Sequence, residues 1–270
     1  MDLINTGECS FQKSCTLRLA KMFSRSIHVH AQRSRLAFRH GVPSSRNNVP
    51  FSTSAQLKDQ ILSEPPSRSF KGKVAIVTGA GCAGDGIGNG RAISMMLARE
   101  GCDVLCLDHN ISWAQRTADM INKDGQNRAA AISGDVTSAQ DCERSVKIAL
   151  DLYGRLDILV NNVGIAGAPG TAVDVDMEHW TQSLNINVSS MVLMSKFAIP
   201  AMLRNTTEMK GNIINMGSVA GLKGGTPHLL YPTSKGAVVN MTRAMAAHHA
   251  KAGIRVNCVC PGVSLSDNAI

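Results

Sequence analysis

Aromatic residues make up only 4% of this 270-residue chain. A core of ordinary size must therefore rest on Val, Ile, Leu, Met and Ala. Long apolar runs are also missing. No run of about 18 apolar residues exists, so no transmembrane helix is expected. Met191 to Leu203 comes nearest, and Lys196 interrupts it. The eight cysteines show neither zinc spacing nor a disulfide framework. Cys102 and Cys106 flank one apolar run, and Cys258 and Cys260 are placed the same way in another. They read as buried thiols in strands, at home in a reducing compartment. No internal repeat at a fixed period is visible.

Acidic residues are absent from Cys9 to Leu57. Residues 1–57 hold eight Lys/Arg and two acids, so most of the net charge of +8 sits there. A nucleic-acid-binding domain needs clustered charge on the domain itself, so that class is set aside. Arg18, Arg25, Arg33, Arg35, Arg39 and Arg46 recur among Ser, Phe, Leu and Ala. This basic, Ser-rich, acid-poor composition is that of a mitochondrial transit peptide. Met22 offers an alternative start, and FSTSA at 51–55 a processing region. The expectation is a leader and linker over residues 1–70, mitochondrial localisation (otherwise cytoplasmic), and one folded domain over 71–270.

From residue 71 short apolar runs alternate with amphipathic stretches. VAIVT (74–78), DVLCLD (103–108), AAAIS (129–133), LDILVN (156–161), NIINM (212–216) and IRVNCVC (254–260) read as strands. Helices are expected over 91–100, 112–123, 139–152 and 235–251. One long helix is expected from about Met177 to Arg204, disturbed at Pro200. Apolar strands alternating with helices predict an α/β fold, a doubly wound parallel sheet of Rossmann type covered on both faces.

The stretch VTGAGCAGDGIGNGRA places six glycines between Gly79 and Gly90, after the first strand and before the first helix. In such a sheet that turn faces the carboxyl edge of the strands, where ligands bind. Glycines let backbone N–H groups approach a pyrophosphate, and the helix N-terminus adds partial positive charge. Asp108 ends the second strand, where an acid accepts hydrogen bonds from adenosine ribose hydroxyls and repels a 2′-phosphate. NAD(H) is thus favoured over NADP(H), with NADP(H) still open because His109 is adjacent.

Tyr231 and Lys235 stand four apart at a helix start, which puts both on one face. A phenol with pKa near 10 is a poor acid–base group at neutral pH. A neighbouring ammonium stabilises the phenolate, and such a pair can exchange a proton with an alcohol or carbonyl oxygen.

With these motifs in order, the sequence resembles the short-chain dehydrogenase/reductase family over about residues 72–262. Thr78-Gly79 with Gly86-Ile87-Gly88 is similar to the family's TGxxxGIG. Asp135-Val136 is similar to its adenine-contacting pair, and Asn161-Asn162-Val163-Gly164 to its NNAG. Trp180 followed by Asn187 resembles the helix bearing its catalytic Asn. Ser218, before Tyr231, matches the catalytic Ser, and Pro261-Gly262 the PG after the sixth strand. The resemblance implies that Ser218 bonds the substrate oxygen and Tyr231 transfers the proton. It implies that Lys235 also binds the nicotinamide ribose, and that Asn187 holds a water for proton relay. Cofactor contacts are implied for Gly79, Gly86, Ile87, Gly88, Asp108, Asp135, Val136, Asn162, Gly164, Tyr231, Lys235, Pro261 and Gly262. The implied activity is hydride transfer between NAD(P) and a small-molecule secondary alcohol or ketone, with no membrane and no metal. The alternative is a catalytically defective nucleotide-binding product of the same fold.

Four departures stand out. The glycine loop is longer than the family's by about five residues, with Asp85 expected to point away from the phosphates. Gly217 stands where a Ser often precedes the catalytic one. Pro232 restricts Tyr231 away from helix, so the helix is expected to start at Pro232. The chain ends eight residues after Gly262, short of the family's substrate loop, last helix and seventh strand. The sixth strand is therefore expected to be an unpaired, apolar edge, and a homo-oligomer is possible only if those elements are not required.

Overall fold

Four of the five residues of β1 (Val74–Thr78) are β-branched, and all five are buried. Such a run suits a strand covered on both faces. The computed structural model describes residues 69–84, 86–123 and 129–262. The expected leader and linker, apart from Ser69 and Phe70, and Asp85 lie outside them. The other strands are β2 (Asp103–Asp108), β3 (Ala129–Ser133), β4 (Ile158–Asn161), β5 (Gly211–Met216) and β6 (Ile254–Val259). They form one parallel sheet in the order β3-β2-β1-β4-β5-β6. The helices are α1 (Asn89–Arg99), α2 (Ile111–Asn122), α3 (Ala139–Tyr153), α4 (Met177–Leu184), α5 (Ser190–Met202) and α6 (Leu230–His249).

Successive residues of β1 serve opposite faces, as strand geometry requires. Ile76 packs with Leu159, Met194, Met202 and Ile213, on the side covered by α3 and α5. Ala75 and Val77 pack with Ala98, Val104, Cys106 and Ala114, on the side covered by α1 and α2. This is the Rossmann-type doubly wound arrangement. Strand order reverses beside β1, which opens a crevice at the carboxyl ends of the strands.

Three expectations are corrected. The long helix over 177–204 is broken, but not at Pro200, which lies within the last turn of α5. The break is a single π turn at Asn185–Ser189, between α4 and α5. The last helix begins at Leu230 rather than Pro232, so Tyr231 is itself helical. Pro232 sits in the first turn, where N–H groups have no intrahelical partner to lose. Among the described residues β6 does pair only with β5. It is not apolar throughout, however: Ile254 and Val256 are buried while Arg255, Asn257 and Val259 are exposed. Charge and polarity on an edge strand discourage pairing with another chain.

At the amino ends of the strands, Asp157 ties β4 to β1. Its carboxylate accepts from Val74 N (3.1 Å), Lys73 Nζ (3.1 Å), and Arg155 Nε and Nη2 (2.7 Å each). Burial works to raise its pKa, but these four donors outweigh it and hold the carboxyl below the ordinary range. The folded-state pKa is depressed, so the stabilisation is complete above the unfolded value of about 3.9 and is lost as pH falls through the folded one. Both cationic partners are partly solvated. Asp157→Asn is therefore expected to cost about 2 kcal/mol at pH 7. In urea melts the difference from wild type should shrink as pH falls from the unfolded value of about 3.9 through the lower folded one.

Candidate active site

Gly79 leaves β1 with φ +61°, and a Cβ there would meet Asn162 Nδ2 at 3.1 Å and Val163 Cγ2 at 3.2 Å. Asn162 locks this corner: its Nδ2 donates to Thr78 O (3.1 Å) and Gly79 O (3.0 Å), and its backbone N to Thr78 Oγ1 (3.0 Å). A Cβ on Gly90 would lie 1.9 Å from Gly79 O. The first turn of α1 thus rests directly on the loop backbone. Gly88 is the N-cap of α1, in extended conformation and without a side-chain cap. By contrast Asn110, Ser138 and Asp176 cap α2, α3 and α4 with their side chains. The first N–H groups of α1 therefore have no side-chain cap, the electrostatic setting that suits a phosphate.

The close-packed Gly-x-Gly is Gly88-Asn89-Gly90, not Gly86-Ile87-Gly88. Gly86 has no neighbour nearer than 3.7 Å to a built Cβ, and Ile87 is 63% exposed. The added residues all precede the helix. Arg91 holds them there. It is wholly buried, donates to Gly86 O and to Cys82 O (3.3 Å), and through Nε to Thr117 Oγ1 (3.1 Å). Thr117 in turn donates to Ala80 O (2.9 Å). Gly90 and Arg91 were not singled out from sequence. The signal was present, since Gly-Asn-Gly abuts the amphipathic run, but Gly-Ile-Gly is the more literal match.

Beside the loop lies a cleft of about 480 Å³, lined by Gly79, Asp108, Asp135, Val136, Asn162, Gly164 and Ile186 among others. Asp108 is 5% exposed at the end of β2. One oxygen accepts from Gly81 N (2.9 Å); the other accepts from Asn110 N (3.0 Å) and faces His109 Nδ1 (3.1 Å). Asp108 is thus fixed in the wall rather than free in a loop. The carboxylate of Asp135 is occupied by Thr137 N and Oγ1, both at 2.8 Å. Val136, beside it, is buried.

At the other end of the crevice, Ser218 caps a 3₁₀ turn (Val219–Gly221) and accepts from Ala220 N (3.1 Å). A Cβ on Gly221 would lie 2.5 Å from Lys235 C and O, so this turn packs against α6 at Lys235. Lys235 is 4% exposed. Its Nζ donates to Met216 O (2.8 Å) and lies 5.8 Å from the centre of the Tyr231 ring. A Cβ on Gly164 would come within 3.0 Å of the same nitrogen, so glycine lets this cleft-lining loop pack against the ammonium. Burial pushes the Lys235 pKa below its ordinary value. Pro261 O accepts from Val219 N (3.0 Å) and steadies the serine turn; Gly262 is exposed, with open space around it.

Asn187 occupies the π turn and is fully buried. Its Oδ1 accepts from Ile165 N (2.8 Å); its Nδ2 donates to Ile165 O (2.9 Å) and Ser234 Oγ (3.1 Å). Both side-chain N–H groups are thus committed to protein. The side chain joins the loop after β4 to α6, and only one Oδ1 lone pair remains for a water. The cysteine expectation holds in part. Cys102, Cys106 and Cys142 are buried, and burial pushes their thiols up to about 12, 12 and 11. Cys258 and Cys260 are half-buried instead. Among the described residues no three of His, Cys, Asp and Glu gather as metal ligands, and no helix is long and apolar enough to cross a membrane.

Strand order and the glycine corner together define a Rossmann-type, dinucleotide-fold class of protein. The short chain dehydrogenase profile matches residues 73–269, and the chain belongs to that family. It is 40% identical over 200 residues to 2-(S)-hydroxypropyl-CoM dehydrogenase 3 of Xanthobacter autotrophicus, covering 74% of each. It is 35% identical over 195 residues to meso-2,3-butanediol dehydrogenase of Serratia marcescens, covering 72% of each. An NAD+-bound xylitol dehydrogenase superposes with a TM-score of 0.65 at 34% identity, over 72% of this chain and 71% of that one.

Proposed function

We propose that the protein is an NAD(H)-preferring oxidoreductase acting on a secondary alcohol or its ketone. One observation supports this above the others: the buried Lys235 ammonium sits beside the Tyr231 ring and packs against Gly164, which lines the cleft. A buried cation with a single backbone acceptor has donors to spare for a ribose hydroxyl. The crevice fits a dinucleotide on its own features. The uncapped α1 and the Gly79–Gly90 contact suit the pyrophosphate, Asp108 the adenosine ribose, and Val136 the adenine. When bound, the nicotinamide supplies the hydride acceptor or donor. Ser218 Oγ donates to the substrate oxygen, Tyr231 exchanges its proton with that oxygen, and Lys235 offsets the negative charge that forms on the phenol. Asn187 positions Ile165 and α6 around them. The relatives' names include a hydroxypropyl conjugate, a diol and a polyol, which favours substrates with a secondary hydroxyl.

Thermal melts of the full chain with NADH and with NADPH test this reading. At about 100 times its dissociation constant NADH should add roughly 2.7 kcal/mol of stability. NADPH should add less, because its 2′-phosphate would face the Asp108 carboxylate. Asp108→Ala should narrow or reverse the difference; an unchanged preference in that variant removes Asp108 from cofactor selection. A melt moved by neither dinucleotide overturns the reading as a whole. A melt raised by NADH, with no turnover of any secondary alcohol, supports the nucleotide-binding alternative instead.

A further inference from the structure

Cys258 and Cys260 form a pair that the chemistry above does not use. Their sulfurs lie 3.7 Å apart, in van der Waals contact. Cys258 lies in β6 and Cys260 just past its end; residues i and i+2 of extended chain project to the same side, and here that side faces Gly217. A Cβ on Gly217 would lie 2.7 Å from Cys258 Sγ and 2.8 Å from Cys260 Sγ. The glycine therefore creates the hollow that both sulfurs occupy. This gives a physical account of the Gly217 departure noted from the sequence.

We propose that Cys258 and Cys260 are a dithiol modification site, oxidised to an intramolecular disulfide by a small-molecule disulfide of the glutathione type. A thiolate of the pair attacks one sulfur of the small disulfide. A mixed disulfide forms and one small thiolate leaves. The neighbouring thiolate then attacks the protein-bound sulfur and expels the second. Two electrons pass from the pair to the oxidant, and the two protein thiol protons end on two small thiols. A two-ligand soft-metal site is the weaker reading, because no third ligand gathers there among the described residues.

Oxidation acts on the site through the backbone. Two residues of extended strand span about 6.6 Å, near the upper limit for a disulfide, whose usual Cα separation is about 5.5–6 Å. Closing the bond must pucker β6 at Val259. Val259 O accepts from Gly217 N (2.7 Å), and Pro261 O from Val219 N (3.0 Å). These two rungs bracket Ser218. The disulfide is therefore a strained, readily reduced one, and its formation displaces the serine turn. The effect on turnover rests on the role proposed above for Ser218; the disulfide itself does not.

The sequence supplies its own readout. Trypsin cutting after Arg255 releases residues 256–270, which contain both cysteines and no other. The full chain is equilibrated in glutathione redox buffers, alkylated, digested and weighed. The expected oxidised peptide has lost two hydrogens, carries no adduct and resists alkylation until dithiothreitol is added. Each single variant, Cys258→Ser or Cys260→Ser, should trap one glutathione on the remaining thiol. Turnover should fall by at least about tenfold on oxidation, return on reduction, and persist through oxidation in the double variant. A peptide that alkylates twice after oxidation, or that holds two glutathiones, overturns the disulfide. Equal loss of turnover in the double variant, which keeps Cys82, overturns the link to the site. A chain without dehydrogenase activity would still report the disulfide by mass, so the two readings fail separately.

Discussion

Tyr231→Phe should lower kcat by about 10²–10⁴-fold while leaving the NADH-induced rise in melting temperature in place. The phenol oxygen is the only atom removed. The ring, held 5.8 Å from Lys235 Nζ, keeps its packing in the first turn of α6. A structural tyrosine would behave oppositely, with a lowered melt and modest loss of rate. Lys235→Met separates the two contributions. Lys235 lies beside Tyr231 and against the cleft-lining Gly164, so its loss should reduce turnover and also weaken NADH. Its buried ammonium bonds Met216 O at 2.8 Å, and that carbonyl loses its partner as well, so some stability is lost too. If Tyr231→Phe retained activity within about threefold of wild type, proton transfer would have to be assigned to another group.

Sheet and cluster were legible in the sequence for different reasons. Fully apolar strands such as VAIVT declare themselves because both of their faces are covered. Tyr231 and Lys235 were legible because helical spacing alone puts them on one face. The loop was legible in kind but not in register. Six glycines offer several overlapping Gly-x-Gly matches, and only the approach of α1 to Gly79 O decides between them. The π turn at Asn187 was hidden because it neither breaks the apolar pattern nor needs Pro or Gly. Its cause is tertiary: Asn187 must reach Ile165 and Ser234 at once. Helix bounds shifted by one to five residues where a cap or tertiary contact, not periodicity, sets the end. The buried guanidinium of Arg91 was unreadable for a related cause. Two of its three acceptors are the backbone carbonyls of Cys82 and Gly86, which leave no mark on residue type.

The register of the glycine loop makes the second large prediction. In Gly90→Ala, the new methyl would lie 1.9 Å from Gly79 O and 2.7 Å from Asn162 Nδ2. Alanine gains about 1 kcal/mol in helix propensity over glycine, so an unstrained site would become more stable. Here the overlap is with backbone, which cannot rotate away as a side chain can. Overpacking of this kind costs about 1–3 kcal/mol or more, so the net sign should be destabilising. The larger effect should fall on the cofactor. To relieve the overlap α1 must withdraw from Gly79, taking its uncapped N–H groups away from the phosphate position. A displacement of about 1 Å at such a site costs on the order of a hundredfold, so NADH affinity should drop by that order. Gly86→Ala is the matched control. Its Cβ has no neighbour nearer than 3.7 Å, and its backbone is not in the left-handed region. Melting and NADH titration of both variants should leave Gly86→Ala near wild type and Gly90→Ala impaired. The reverse order would return the close-packed role to Gly86-Ile87-Gly88.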